Sequence, residues 1–200
     1  MKTIIILLCL VSTALFAQNG EKEIEDNLRD IIVFANEKYL SKLSEVTQQY
    51  EEQREELDFY SQMKITDFCN SEEQRRIEVF IRVYTEYLQR RIKFYRAFFD
   101  EYRNIIEPLL VTLDVNEQYT LEEEFLTSAR WTTEEYLGDV YTSVDTFKDY
   151  VKIFEFVLNN KTDCKIVDGE LMFESRDNQD MFEKHLLNMR SVEERYKPKM

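Results

Sequence analysis

The stretch SEEQRRIEVFIRVYTEYLQRRIKFYRAFFDEYRNIIEPLL, residues 71–110, decides the fold. Its apolar residues fall at Ile77, Ile81, Tyr84, Leu88, Ile92, Tyr95, Phe99, Tyr102, Ile106 and Leu109. Steps of three and four place such residues on one face of an α-helix, so one long amphipathic helix is predicted. Phe80, Phe94, Phe98, Ile105 and Leu110 widen the stripe beyond a two-stranded seam, which suits a helix facing several partners in a bundle. Ser71 with Gln74 has the spacing of a capping box, and Pro108 is placed to kink or stop the far end.

Upstream, Ile24, Leu28, Ile31, Ala35, Tyr39, Leu43, Val46, Tyr50, Leu57 and Tyr60 repeat the pattern from Glu21 to Met63, with a lapse near Arg54. This predicts one helix of about forty residues, or two in line. Downstream, residues 114–119 read as a connector and Thr120 with Glu123 as a second capping box. A third helix then carries Tyr136, Val140, Val144, Phe147, Val151, Phe154 and Leu158. A break is expected in it near Thr132 or Thr133, either of which suits a cap. Past Cys164 the period changes. Asp168-Gly169 between Ile166-Val167 and Leu171-Met172-Phe173 predicts a β-hairpin, because both turn positions can take positive φ. From about Ser175 a shorter fourth helix is predicted, with Met181, His185, Met189, Val192 and Tyr196 along its stripe and Phe182 and Leu186 beside them.

At the N-terminus, Lys2, the apolar run Ile4–Val11 and the small residues before Gln18 have the layout of a secretory signal peptide, with cleavage expected after Ala17. The run is shorter than the roughly 20 residues a bilayer span needs. Residues 18–200 are then expected to form a single domain. Cleavage would remove Cys9 and Lys2, leaving two cysteines and a formal charge of −15 in place of −14. Cys69 and Cys164 each sit just beyond the end of a long helical pattern, and short connections make consecutive helices antiparallel, so both belong at one pole. A disulfide between them is expected in an oxidising compartment. The chain has only three glycines and two prolines, so turns are few and elements long. The expected fold is all-α: an elongated up-down-up-down antiparallel bundle of three long helices and one shorter, a small hairpin between the third and fourth, and one disulfide.

Known chemistries find little purchase. The acidic balance argues against nucleic acid and anionic membranes and favours cationic partners. The one histidine, His185, has no nucleophile elbow to serve, and Phe182 stands where a di-metal bundle's Glu-x-x-His motif needs glutamate. Asp163, Asp168, Gly169 and Glu170 lack the spacing of a calcium loop. Glu51-Glu52, Glu55-Glu56 and Glu122-Glu123-Glu124 read as solvated faces rather than acid–base pairs. No enzyme activity, metal or cofactor is expected.

Three features point to recognition. Arg90, Arg91, Lys93 and Arg96 make a basic island, read either as interhelical ion pairs with Glu45, Glu51 and Glu52 or as an anion or partner patch. Aromatic residues beyond the needs of one seam leave room for a partner groove or an apolar-ligand cavity. Asn160-Lys161-Thr162 is an N-glycosylation sequon. The expected function is a secreted, non-enzymatic protein (periplasmic if bacterial) that binds an extracellular protein through an acidic, aromatic helix face. The alternative is an extracellular carrier of a lipid or other apolar ligand. A homodimer is left open by the long seams.

Overall fold

The computed structural model describes residues 21–113 and 115–195. The signal peptide expected over residues 1–17, and Tyr196, lie outside the described residues. Four principal helices follow: α1 (Glu21–Leu57), α2 (Ser71–Leu110), α3 (Ser128–Asn159) and α4 (Arg176–Arg195). A two-stranded antiparallel hairpin, β1 (Cys164–Val167) and β2 (Glu170–Phe173), stands between α3 and α4. The all-α class, the late hairpin and the Cys69–Cys164 disulfide are as the sequence predicts.

The first lapse falls at Asp58 rather than near Arg54. Asp58 adopts the left-handed conformation (φ 43°, ψ 59°), which ends α1, and one further helical turn, Phe59–Gln62, follows. A 3-10 turn over Ile65–Cys69 leads to α2, and Met63 and Phe68 are driven inside as a plug. Arg76 holds this turn from α2, donating to the Gln62 carbonyl and side chain and pairing with Asp67 at 3.2 Å. The cap of α2 is Asn70, not Ser71: its Oδ1 accepts from the Glu72 amide at 3.0 Å, while Gln74 reaches back to the Phe68 carbonyl at 2.9 Å. Asparagine fills that role as well as serine, because either side-chain oxygen reaches an orphan amide of the first turn.

Thr120 is not a cap either. A short helix, Val115–Leu121, already contains it, and its hydroxyl donates to the Asn116 carbonyl one turn back at 2.9 Å. The break expected near Thr132–Thr133 is absent; the irregularity lies upstream in a π turn over Glu122–Thr127, and helix continues through Thr133, which is buried. The π turn lets the adjacent Phe125 and Leu126 both face inward.

The backbone gathers into two compact units. One consists of Phe99–Trp131 with the described part of Met1–Glu45. Within it α1 and α2 pair through Tyr39 and Tyr102, whose ring centroids lie 4.2 Å apart, and the Tyr102 hydroxyl donates to Asn36 at 3.0 Å. Ile32, Leu43, Ile106, Leu113, Leu121 and Phe125 are among its core side chains.

The other unit, Val46–Phe98 with Thr132 onward, holds the disulfide (Cα–Cα 6.1 Å), the hairpin and α4. Here Tyr87 bonds to Tyr50 across α1 and α2, and Tyr95 stacks on Tyr136 of α3 at 5.6 Å. Both pairs are antiparallel: Thr47 meets Tyr95 while Tyr50 meets Tyr87, and Tyr84 meets Phe147 while Tyr95 meets Tyr136. In the hairpin, Asp168 (φ 51°) and Gly169 (φ 82°) take the two positive-φ turn positions, and Val167 pairs with Glu170. β2 turns Leu171 and Phe173 inward, with Phe173 against Phe156 of α3 and Phe182 of α4, each at 5.3 Å between centroids. On α4 Phe182 and Met189 are buried among the described side chains, whereas Met181, expected on the inner stripe, is 45% exposed. Asp163 fixes the entry to α4, accepting from the Ser175 amide at 3.0 Å and the Asn178 side chain at 2.7 Å. Its carboxylate is thereby spent on the fold.

Candidate functional site

The four basic residues of α2 part company in the structure. Positions 84, 88, 91 and 95 share the face that carries Tyr84, Leu88 and Tyr95, so Arg91 is drawn inside and is only 2% exposed. Its guanidinium donates to Glu51 Oε1 at 2.9 Å and to the Tyr87 hydroxyl at 3.1 Å, and that hydroxyl passes a hydrogen bond to the Tyr50 carbonyl at 2.8 Å. The rings of Tyr50, Tyr87 and Tyr95 surround it with centroids 5.6, 5.7 and 5.9 Å from Cζ, and Nε alone has no partner. Burial opposes the charge, but polar contact with Tyr95, the Tyr87 oxygen and the Glu51 carboxylate outweigh it and hold the guanidinium above its ordinary pKa. Burial also pushes the hydroxyls of Tyr50, Tyr84 and Tyr87 up, Tyr84 to about 12. This cluster is a closed interhelical lock with no room for an outside anion. Of the ion pairs expected for the island, it realises Arg91–Glu51.

The other three are exposed. Arg96 donates to the Tyr141 hydroxyl on α3 and lies over its ring, Arg90 offers its carbonyl to Tyr50, and Lys93 faces solvent. Arg90, Arg91, Lys93 and Arg96 are thus not assembled into one patch.

Where α2 and α3 meet, a groove of about 450 Å³ opens to solvent. Its α2 wall is Ile81, Thr85, Leu88, Gln89 and Ile92; its α3 wall is Val144, Phe147, Lys148, Val151 and Lys152. The Thr85 hydroxyl donates to the Ile81 carbonyl at 2.7 Å. None of these ten residues is a carboxylate, although the chain carries 40 Asp and Glu. Both lysines are 61% exposed and pair with aspartates one turn back, Lys148 with Asp145 at 3.2 Å and Lys152 with Asp149 at 2.8 Å. Ile81, Leu88 and Ile92 belong to the stripe legible in the sequence. In the structure Leu88 is buried while Ile81 and Ile92 are partly exposed.

The remaining sequence candidates are placed as follows. Asn160 is half-buried at the end of α3, and its side-chain amide donates to the Phe156 carbonyl at 2.9 Å, with Thr162 exposed two residues on. His185 is half-buried with its ring 5.4 Å from Phe156. Glu51 serves Arg91 and Arg54; Glu52 accepts from Gln48; Glu122, Glu123 and Glu124 are exposed on the π turn. Among the described residues, no group of three or more His, Cys, Asp or Glu could hold a metal ion, and no helix is long and apolar enough to cross a membrane. Comparison with family models, curated proteins and solved structures finds no match.

Proposed function

We propose that this chain is an exported, non-enzymatic binding protein whose recognition face is the α2/α3 groove, and that its partner is another protein. One observation carries the reading: an apolar, carboxylate-free seat persists on the surface of a chain with a formal charge of −14. A largely apolar groove with a few polar side chains at its rim is a common form of binding site. The aromatic rings that the sequence offered as a second recognition element are largely consumed by packing, since Tyr84, Tyr87, Tyr95 and Tyr102 are all buried. Export is supported by the signal-like start and by the bridge between Cys69 and Cys164.

The carrier reading stands second because the groove's size falls in the range of small-molecule sites. Its openness along one side favours a protein guest. Native mass spectrometry of the protein purified from its own source tests both: a bound protein that is lost in the Val144→Glu variant is the expected result. A bound mass that extracts as lipid would replace this proposal with the carrier.

A further inference from the structure

Resting on that reading, we infer that the groove takes an amphipathic α-helix whose flank facing α3 is acidic. The walls have the form a helix needs. Ile81, Thr85, Leu88 and Ile92 step by four, three and four along α2, and Val144, Phe147 and Val151 step by three and four along α3. Such rows are the ridges between which a third helix seats its own. From Ile81 to Ile92 the α2 wall spans eleven residue steps, about 16 Å at 1.5 Å per step, which matches three turns of a guest helix. Helix-in-groove recognition reads anchors at this i, i+3, i+4, i+7 spacing.

The two lips differ, and the difference selects the guest. The α2 lip presents Gln89, while the α3 lip presents Lys148 and Lys152, four residues apart on one face. Two carboxylates spaced i, i+4 on the guest would meet both ammonium groups. The Lys148–Asp145 pair is exposed on both sides and of the kind worth under about 1 kcal/mol, so it exchanges readily for a guest carboxylate that the groove shields, whereas Asp149 is 14% exposed and holds Lys152 more firmly. At physiological ionic strength, charges beyond about 8 Å are screened, so the balanced Lys148–Asp145 and Lys152–Asp149 pairs bear on the seat more than the chain's overall −14 does. A second copy seated groove to groove about a two-fold axis is disfavoured, because it would set lysine against lysine.

The test uses the full chain and two synthetic peptides of about 14 residues, long enough to overrun the groove. Both carry leucine at i, i+3, i+4, i+7 and i+11; one has a glutamate pair on one flank and the other a lysine pair. Binding is read by fluorescence anisotropy, with the K148E/K152E variant checked by circular dichroism and hexadecanoate as a competitor. The glutamate peptide should bind, should weaken by about tenfold or more on the variant, and should lose to the lysine peptide there. Equal binding of both peptides to both proteins would overturn the acidic guest while leaving the helix groove standing. Binding of hexadecanoate but neither peptide would overturn the guest and the protein-partner reading together. Binding of no probe would also overturn the guest.

Discussion

Neutralising Glu51 should cost more than removing the arginine it serves. In Glu51→Gln, Arg91 stays 2% exposed with its charge uncompensated, and its Nε has no spare partner to recruit. Breaking a fully buried pair this way costs about 3–5 kcal/mol. The Tyr87 bond, the three rings and one surviving amide-oxygen acceptor soften the loss, so about 2–3 kcal/mol is expected. In Arg91→Met the buried charge disappears and much of the stem volume remains, while Glu51, 35% exposed, relaxes onto Arg54 and water. That change should cost about 1 kcal/mol or less, as apolar replacement of buried ion pairs often does. Urea unfolding followed by circular dichroism measures both by linear extrapolation. If Arg91→Met proves the more damaging, or Glu51→Gln costs under about 0.5 kcal/mol, the guanidinium is hydrated and the closed lock is wrong.

Three further outcomes are expected. The C69S/C164S double variant should lose roughly 4–5 kcal/mol in the same urea assay, the chain-entropy value for a loop spanning the separation of 95 residues. Tyr84, with its pKa raised to about 12 from 10.0, binds its proton more tightly folded than unfolded. Its contribution to stability is therefore full below pH 10 and falls by roughly 2–3 kcal/mol between pH 10 and 12; Tyr50, Tyr87 and Tyr102, raised by the same burial, add to the fall, so the difference between pH series of melts for the chain and its Tyr84→Phe variant isolates it. Finally, Gly138→Ala in α3 meets nothing within 4 Å and should stabilise by about 0.5–1 kcal/mol, whereas Gly169→Ala, equally uncrowded but at φ +82°, should destabilise by about 1 kcal/mol; differential scanning calorimetry separates the signs.

The helices, the hairpin and the bridge were legible because each leaves a periodic or compositional trace: three-four spacing, Asp-Gly between β-prone residues, two cysteines at one pole. Exact caps were not, since Asn70 and Ser71 are both good caps and only the backbone geometry at the turn decides between them. The π turn was equally hidden. Widened i→i+5 bonding has no side-chain signature, and the disturbed pattern around residues 130–133 looked like a capped restart. Arg91 is a different case, for its signal was present: it sits three residues after Leu88 and four before Tyr95, squarely on the buried stripe. Reading by charge gave its ion pair with Glu51 but left a surface patch open, which its position on the stripe argues against. The groove escaped because sequence reports which face is apolar but not how much of that face a neighbour covers.

The bond between Cys69 and Cys164 also changes what cutting the chain means. A protease that nicks the backbone anywhere from Asn70 to Asp163, for instance at the exposed Val111–Thr112 after α2, leaves one cysteine on each piece. The halves remain one covalent molecule, with the mass of the intact chain plus a water and an unchanged band until a reductant is added. In a protease-rich surrounding, the whole span between the two sulfurs is insured against loss of its other half, while the stretches outside the ring are not.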